Sequence, residues 1–412
     1  MRIHIDEAVP GAADLFSRLG DVTPFPGRVL DPAALADADA LIVRSVTRVD
    51  AGLLAGSRVR FVGSATAGTD HVDTDWLARR KIAFAAAPGA NARPVAEYVL
   101  AAILLLARRH GFDPREKTLG VLGVGRAGSI VADWAASLGM TVLRCDPPRQ
   151  AAGDPGPWVS PAELAARSDL VTVHVSLTDA GPHATRDLLS AEWFAALKPG
   201  AILINTARGE VVDEAALIGA LQSGRLAGAV LDVWRNEPRP AAELVERCDL
   251  ATPHLAGHSR EAKRRAAAIV FTALAAWIDP ERDAAADLRA AGFPVVSPAR
   301  GSAGLSAAET DPWHGHPPRG PHRPEAGATP AHGAHGLEAR ATPARGTSGG
   351  GADASIGRSG LPADLAAAAD ALCAVCNLAD IDARLRRAVA AGTLPAAFDA
   401  IRAAFGERRE WG

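Results

Sequence analysis

The sequence predicts an α/β protein in which two doubly wound, parallel-sheet domains lie on either side of a cleft. Short apolar strands alternate with helical patterns in two successive series, and a glycine-rich turn opens the second series. Alternating strands and helices favour parallel sheets, because each crossover helix returns the chain to the same end of the sheet. A chain of 412 residues is also long enough for two or more domains.

The first series predicts a domain built from residues 1–94 and 255–283. Its strands are expected at MRIHID, ALIVRS, RFVGSA and IAFAAAP, and its helices at PGAADLFSRLG and DTDWLARRK. A long helix over residues 91–109 follows these elements. It is apolar almost all round, which predicts burial between the two domains.

The second series predicts another sheet domain at residues 95–254. Its strands are expected at TLGVLGVG, TVLRCD, LVTVHV, AILINTA and GAVLDVW, with helices at IVADWAASLG, SPAELAARS and DEAALIGALQSG. A further helix, SREAKRRAAAIVFTALAAWI, can cross back to the first domain. The first domain would then be discontinuous in sequence, with a two-segment hinge beside the cleft.

The composition changes after the second domain. Residues 284–360 form a low-complexity segment, and over 297–360 Gly, Pro, Ala, His and Ser dominate with almost no large apolar residues. Such a segment buries too little apolar surface to offset its ordering entropy, so we predict that residues 284–360 are disordered. Helical patterns return within residues 361–412, which predicts a short helical C-terminal appendage.

The composition also excludes several classes of function. A net charge of −3 gives no general attraction for nucleic acid. No apolar run reaches the roughly 18 residues of a membrane span, and the N-terminus has no signal-peptide pattern. Four cysteines make no disulfide framework, so we expect a cytoplasmic protein. Cys373 and Cys376 are spaced as C-A-V-C in a helical pattern, and without a second pair they predict no metal site.

Gly123, Gly125 and Gly128 form a G-x-G-x-x-G turn directly after a strand and before a helix. This is the fingerprint of a Rossmann-like dinucleotide site, in which the pyrophosphate lies at the helix N-terminus. The turn includes Arg126 and Ala127, so we count all five residues as candidate cofactor contacts. A glycine turn in a sheet that binds no ligand is the alternative interpretation.

Asp146 ends the next strand, 18 residues after Gly128. A carboxylate at this place can accept hydrogen bonds from ribose hydroxyls and would repel a 2′-phosphate, which favours NAD over NADP. Arg144 and Arg149 lie close by in sequence. They are the residues through which NADP could be accepted instead.

Three later stretches place reactive side chains in loops after strands: Arg208 in NTARGE, Glu237 in LDVWRNEP and His254 in TPHLAGH. Loops at the carboxyl ends of parallel strands gather at one edge of a sheet. An arginine can hold a carboxylate in a fork, a histidine can move a proton, and a glutamate can orient the imidazole. The set predicts hydride transfer at a carbon next to a carboxylate. Each residue alone would equally suit a solvated loop.

Two loops of the first domain carry donors suited to an anion. Ser45 lies in VRSVT beside Arg44, and Thr66 begins TAGT in SATAGTDHVD. Ordinary turns and helix caps use the same residue types, so the alternative is a purely structural role.

The motifs GVLGVGRAGS, NTARGEVVDEAAL, LDVWRNEP and PHLAG, in this order, resemble those of the D-2-hydroxyacid dehydrogenase family. The resemblance implies that Arg208, Glu237 and His254 are catalytic. It implies NAD contacts from Asp146, Thr206, Ala207, Arg208, Asp232 and Gly257, and substrate contacts from Ser45, Thr66 and His258. His258 stands where a tyrosine is usual, and Val175 stands where a polar NAD contact is frequent.

This resemblance implies NAD-dependent oxidation of a phosphorylated 2-hydroxy acid to the 2-oxo acid. Alternatives are a dehydrogenase for phosphoglycerate or for a glyoxylate- or hydroxypyruvate-type acid, and a non-catalytic NAD-sensing scaffold on the same fold. The resemblance also implies a homodimer, with residues 361–412 as an incomplete dimerisation domain. The apolar helix at 92–109 favours a dimer independently, because on a monomer it would expose a large apolar patch.

Overall fold

The computed structural model of the chain describes residues 1–296, 370, 372, 374, 376–405 and 408–410. Residues 297–360, for which the sequence predicts disorder, lie outside the described part, as does Cys373. Two all-parallel sheets with flanking helices form the body of the protein, as the sequence predicts. No helix within the described ranges is long and apolar enough to cross a membrane.

The first sheet has five parallel strands in the order β2-β1-β3-β4-β5. The strands are β1 (Arg2–Asp6), β2 (Asp21–Phe25), β3 (Ala40–Val43), β4 (Phe61–Ser64) and β5 (Ala83–Ala85). The short helices between them are α1 (Ala12–Phe16), α2 (Ala51–Leu54) and α3 (Thr74–Arg79). Strand β2 is not among the strands expected from the sequence. It is an edge strand that contains Pro24 and buries only Phe25, so its apolar pattern is weak.

The second sheet has six parallel strands in the order β11-β10-β9-β8-β6-β7. The strands are β6 (Thr118–Leu122), β7 (Thr141–Cys145), β8 (Leu170–Val173), β9 (Ala201–Asn205), β10 (Leu226–Leu231) and β11 (Leu250–Ala251). The helices of this domain are α4 (Ala92–His110), α5 (Arg126–Ser137), α6 (Pro147–Ala151), α7 (Pro161–Arg167), α8 (Ala191–Ala196), α9 (Glu214–Gln222) and α10 (Ala242–Arg247). β6 pairs with β7 on one side and β8 on the other, so the strand order reverses at β6. Ligands of open α/β sheets bind at such a reversal.

Helix α11 (Arg260–Ile278) leaves the second domain and packs on the first sheet against β4, β5 and α1. Phe271 is fully buried there, and its ring meets that of Phe16 edge-on at 5.6 Å between centroids. A Cβ on Gly63 of β4 would lie 2.4 Å from a methyl of Val270, so glycine permits this close contact. The first sheet is therefore covered by a helix that comes from a distant part of the chain.

The prediction of disorder from residue 284 onward is wrong for residues 284–296. Helix α12 (Ala284–Ala290) begins with a cap in which Oδ1 of Asp283 accepts a hydrogen bond from the Ala286 N–H at 2.9 Å. Leu288 and Phe293 are buried, with 0% and 7% of their surface exposed, in the core beneath α1 and α11. Two well-placed apolar side chains and one cap are enough to order this stretch, although its average composition is poor.

The independent argument for a dimer from the apolar helix is also wrong. Ile103 and Leu104 of α4 are fully buried within their own chain. The C-terminal residues share this core, because Leu372 and Cys376 belong to the same buried cluster as α4. Helices α13 (Leu378–Ala390) and α14 (Leu394–Phe405) are the last helices of the described part. With its apolar surface covered in this way, α4 requires no second subunit.

The C-terminal helices also cover the edge of the second sheet. Oδ1 of Asp382 in α13 accepts a hydrogen bond from the N–H of Ala251 in the edge strand β11 at 2.9 Å. Arg386 donates to the carbonyl oxygens of the preceding turn, at Val245, Glu246 and Cys248. An edge strand with unpaired backbone groups invites association, so this cap removes an exposed edge.

Candidate active site

The glycine-rich turn joins β6 to α5 and leaves room for a ligand. Gly123 has a φ of 87°, a left-handed conformation that suits glycine. A Cβ on Gly128 would lie 2.0 Å from the carbonyl oxygen of Gly123, so glycine is needed for α5 to pack this closely. At Gly125, a Cβ would meet no atom within 4 Å. Arg126 and Ala127 form the first turn of α5, whose N-terminus faces this open side.

Asp146 lies at the end of β7 and is buried against the glycine-rich turn. Its Oδ2 accepts a hydrogen bond from the Val124 N–H at 2.8 Å, and its Oδ1 accepts from the Arg149 N–H at 3.1 Å. Both nearby arginines are paired with carboxylates: Arg144 with Asp133 and Arg149 with Asp154, each at 2.6 Å. The carboxylate therefore fixes the turn, and neither guanidinium is free of a counter-charge.

The turn after β9 carries Thr206 and Ala207 and is held by Asn205. The Asn205 amide accepts from the Ala207 N–H at 3.0 Å and donates to the carbonyl oxygen of Arg208 at 2.9 Å. The hydroxyl of Thr206 is buried and has no hydrogen-bond partner among the described residues. A buried hydroxyl without a partner is destabilising, so this turn suits a ligand that supplies one.

Arg208 reaches across the cleft to the first domain. Its Nε donates to Oδ2 of Asp70 at 2.7 Å, and its Nη2 lies 2.6 Å from the same oxygen. A Cβ on Gly68 would lie 1.9 Å from Nη2, so this glycine makes the approach possible. Asp70 was not singled out in the sequence, although it lies in the TAGTDHVD stretch beside Thr66. It fixes the guanidinium at the cleft wall.

Glu237 and His254 form a hydrogen-bonded pair. Nδ1 of His254 lies 2.8 Å from Oε2 and 3.0 Å from Oε1 of Glu237. Oε1 also accepts from the Trp234 N–H at 3.1 Å, which fixes the carboxylate. Burial raises the pKa of Glu237, but the charge and hydrogen bond of His254, together with Arg402 and the Trp234 N–H, lower it by more, and the net pKa is lowered. The carboxylate therefore stays ionised, and the Nε2 atom of His254 is left for a substrate.

Asp232, at the end of β10, holds the loop that carries His254. Its carboxylate oxygens accept from the N–H groups of Leu255 at 2.8 Å and Ala256 at 2.9 Å, and from the Thr252 hydroxyl at 2.7 Å. Burial is the main cause of the raised pKa of Asp232. His254 has a φ of 52°, which is uncommon outside glycine, so its loop needs this support. In this structure Asp232 is thus a loop anchor, and its proposed nicotinamide contact stays a prediction.

Gly257 and His258 lie where the chain leaves the second domain. A Cβ on Gly257 would lie 2.6 Å from Nδ2 of Asn91, so the two connecting segments touch here. Nδ1 of His258 is buried without a hydrogen-bond partner among the described residues. Burial is the main cause that lowers the pKa of His258 well below its ordinary value, and the imidazole is therefore neutral.

The first-domain residues occupy the opposite wall. Ser45 is exposed. The Thr66 hydroxyl lies 2.7 Å from the Ser64 hydroxyl, which is 3.0 Å from Nε2 of His71. Burial is the main cause that lowers the pKa of His71 to about 4, so this side chain is neutral. Arg44 is held by the buried Asp6 through Nε at 3.0 Å. This wall offers hydroxyl and guanidinium donors.

The residues present fit a dinucleotide. The open side of Gly125 and the N-terminus of α5 suit a pyrophosphate, and the orphaned hydroxyl of Thr206 lies at the next strand-end loop. Val175, where the family often has a polar group, is buried against Gly123 and offers no side-chain hydrogen bond. The main contacts to a dinucleotide would therefore come from backbone groups and from the turn after β9.

Known proteins share this arrangement. Residues 104–256 match the family described as D-isomer specific 2-hydroxyacid dehydrogenase, NAD binding domain. The fold is similar to a D-lactate dehydrogenase from Aquifex aeolicus complexed with NAD and lactic acid, with a TM-score of 0.60 and 25% identity, over 73% of this chain and 100% of that one. It is also similar to an NAD-dependent formate dehydrogenase from Staphylococcus aureus in complex with NAD, with a TM-score of 0.59 and 25% identity, over 69% and 99% of the two chains. The fold and the site define a 2-hydroxyacid dehydrogenase whose cofactor is NAD.

Curated relatives narrow this class. The chain is 50% identical over 287 residues to the erythronate-4-phosphate dehydrogenase of Escherichia coli O81 (strain ED1a), which covers 70% of this chain and 76% of that protein. It is 51% identical over 278 residues to the enzyme of the same name from Edwardsiella ictaluri (strain 93-146), over 68% and 74% of the two chains. The chain therefore belongs to the D-2-hydroxyacid dehydrogenase family, and these relatives are named erythronate-4-phosphate dehydrogenases.

Proposed function

We propose that the protein oxidises 4-phospho-D-erythronate to 3-hydroxy-2-oxo-4-phosphooxybutanoate with NAD, as a step of pyridoxal 5′-phosphate biosynthesis. The observation that carries the chemistry is the 2.8 Å contact between Nδ1 of His254 and Glu237. The substrate is favoured because relatives of about half identity bear the name of that enzyme. Donors on both cleft walls suit an acid that carries two anionic groups.

His254 is the proposed base. With Nδ1 held by Glu237, its Nε2 takes the proton of the C2 hydroxyl as the carbonyl forms. The ionised Glu237 orients the ring and stabilises the imidazolium that results. The glycine-rich turn would hold NAD, which would supply the acceptor for the hydride that leaves C2.

Arg208 is the proposed carboxylate ligand. A guanidinium can bind a carboxylate in a two-pronged fashion, and such a contact fixes C1 and therefore the face that C2 presents. In the present conformation Asp70 occupies part of this fork. The substrate carboxylate would compete with Asp70, or share Arg208 with it, when it binds. Ser45, Thr66 and His258 are proposed to donate hydrogen bonds to the rest of the substrate.

The substrate is tested by the appearance of NADH absorbance with a panel of acids. We expect the highest kcat/KM for 4-phospho-D-erythronate, lower values for D-3-phosphoglycerate, and the lowest for D-glycerate, the reduced partner of hydroxypyruvate. Preference for D-3-phosphoglycerate or D-glycerate would replace the proposed substrate while keeping the class of enzyme. Absence of NADH with every acid would contradict the proposed reaction.

The assembly is proposed on the resemblance, and the location on the cysteine pattern. We propose a cytoplasmic homodimer. Cys145 and Cys248 are buried and form no disulfide, as suits a reducing compartment. Light scattering of the full chain tests the assembly, and a monomer that is fully active would contradict the proposed dimer.

A further inference from the structure

Helix α14 brings an arginine to the active site from the far end of the sequence. Arg402 lies on this helix, and its Nε is buried without a hydrogen-bond partner among the described residues. It also takes part in no ion pair within the described part of the chain. The Arg402 side chain is half-buried, and a buried N–H without an acceptor is costly, so the arrangement favours an anionic partner at Nε.

The surroundings of Arg402 are those of the substrate side of the cleft. Arg408, six residues further along the chain, donates from Nε to the carbonyl oxygen of His258 at 3.1 Å, so the C-terminal segment reaches this side of the cleft. Burial lowers the pKa of Arg402, while the charges of Glu237 and Asp232 raise it. Burial and then Arg402 are the leading causes of the lowered pKa of His258. A guanidinium stays charged even with a lowered pKa, because its ordinary value is far above neutrality. Arg402 therefore carries a positive charge that acts on His258.

Three other arginines near the cleft have counter-charges: Arg208 with Asp70, Arg44 with Asp6, and Arg28 with Asp399. The last pair joins the first domain to α14 at 2.8 Å and holds this helix at the mouth of the cleft. Asp399 and Arg402 lie three residues apart, so they occupy neighbouring positions on one side of the helix. The Arg28 contact therefore also positions Arg402.

We propose that Arg402 binds the terminal phosphate of the substrate, at a second anion subsite that it forms with the neutral His258. Arg208 holds the carboxylate at the other end of the same molecule. This inference rests on the proposed function, because it needs a hydroxy acid with a second anionic group. A phosphate presents several acceptor oxygens, which match the unused Nε of Arg402 and the Nδ1 of His258 if that atom carries the proton. The C-terminal helices would thus contribute substrate specificity within one chain.

The test compares Arg402→Gln, Arg402→Lys and the control Arg384→Gln. Arg384 lies on α13 and pairs with Asp380 at 4.0 Å, with 41% of its side chain exposed. KM and kcat are measured with 4-phospho-D-erythronate and with D-erythronate, which lacks the phosphate. Arg402→Gln should raise KM for the phosphorylated acid roughly ten- to a hundredfold, as expected for loss of a charged hydrogen bond. It should leave KM for D-erythronate and kcat nearly unchanged. KM of Arg402→Lys for the phosphorylated acid should lie between the values of wild type and Arg402→Gln. KM of Arg384→Gln should equal that of wild type.

A binding measurement keeps the inference separate from the proposed reaction. Inorganic phosphate is titrated calorimetrically into protein saturated with NADH, so that the pyrophosphate site is filled. Wild type should bind phosphate and Arg402→Gln should bind it at least tenfold more weakly. If wild type oxidises no phosphorylated acid but shows this difference, the proposed function fails and the anion subsite stands.

Several results would overturn the inference. An unchanged KM for the phosphorylated acid in Arg402→Gln would do so, as would a fall in kcat alone, since that would assign Arg402 to the support of Glu237. An equal rise in KM for both acids would also contradict a phosphate contact. If Arg402→Gln fails to bind NADH, the folded Arg402→Lys variant decides, and wild-type KM and phosphate affinity in that variant would count against the subsite.

Discussion

Arg408 and Glu97 form an ion pair of 2.9 Å in which both side chains are buried, with 3% and 0% exposed. The same guanidinium donates to the carbonyl oxygens of Pro94, Ala256 and His258. Pro94 lies in the first turn of α4, the long helix of the second domain. Ala256 and His258 precede α11, the helix that returns to the first sheet. Arg408 therefore ties the C-terminal segment to both segments that connect the two sheets.

Removal of this arginine should destabilise the whole protein. Arg408→Ala leaves Glu97 buried without the guanidinium of Arg408, although Arg93 still lies 3.2 Å from its carboxylate. We expect a loss of about 3 kcal/mol in the free energy of unfolding, measured by urea denaturation. The control is Arg409→Ala, because Arg409 is 75% exposed and pairs with Glu261 at the surface. That variant should lose less than about 1 kcal/mol. Equal stability of the two variants would show that the buried pair does not hold the C-terminal segment.

Gly125→Ala should weaken NAD binding without weakening the fold. Its φ is −73°, which alanine adopts readily, and the new methyl would meet no protein atom within 4 Å. The methyl would occupy the space expected for the pyrophosphate. We expect KM for NAD to rise at least tenfold with an unchanged denaturation midpoint. In the control Gly219→Ala, the added methyl also meets nothing within 4 Å. This variant should neither raise KM for NAD nor lower the denaturation midpoint. Unaltered NAD affinity in Gly125→Ala would place the cofactor elsewhere.

The protein should prefer NAD to NADP. Asp146 would repel a 2′-phosphate, and Arg149, which could attract one, is paired with Asp154. The measurement is kcat/KM for each cofactor with the best acid. Asp146→Ala should reduce the ratio of kcat/KM with NAD to kcat/KM with NADP. Equal or better use of NADP by wild type would show that Arg144 or Arg149 releases its own partner to bind the phosphate.

Glu237→Gln should slow turnover while NAD binding stays intact. The amide can still accept a hydrogen bond from Nδ1 of His254, but it cannot stabilise the imidazolium by charge. We expect kcat/KM to fall on the order of 10²-fold, within the range of general acid–base effects. Wild-type kcat/KM in this variant would remove the glutamate from the mechanism.

The same variant tests the pH dependence of stability. The pKa of Glu237 in the folded protein is lowered below its ordinary value, net of burial. Ionised Glu237 therefore adds stability above its unfolded pKa, and this contribution is lost as the pH falls through the folded pKa. The stability difference between wild type and Glu237→Gln should shrink on acidification. A difference that grows in acid would contradict the sign of this pKa change.

The sequence predicts those parts of the site that depend on local patterns. Strand-end loops on neighbouring strands of one sheet must lie close together, so Glu237 and His254 meet although 17 residues separate them. Asp70 could not be found in this way, because its contact with Arg208 depends on how the two domains face each other. Arg402 was missed for the same reason. Its helix pattern is visible, but only the packed structure shows where the C-terminal helices lie.

The burial of the long apolar helix shows a similar limit. Its apolar pattern predicts that the helix is buried, but the pattern does not show whether a second subunit or the same chain covers it. Dimerisation and intrachain packing are equivalent explanations until Leu372 and Cys376 are seen in the same core. The edge strand β2, which contains Pro24, could not be predicted because proline lowers its intrinsic preference for β-structure. It forms because it pairs with β1 over five residues.

The central claim is that His254 is the base of an NAD-dependent oxidation of a phosphorylated 2-hydroxy acid. The most direct measurement is NADH formation from 4-phospho-D-erythronate by wild type and by His254→Ala, with NAD affinity determined for both. We predict that wild type forms NADH, and that His254→Ala loses about 10²–10⁴-fold in kcat while its NAD affinity is nearly unchanged. A His254→Ala variant that keeps a near-wild-type kcat would contradict the account.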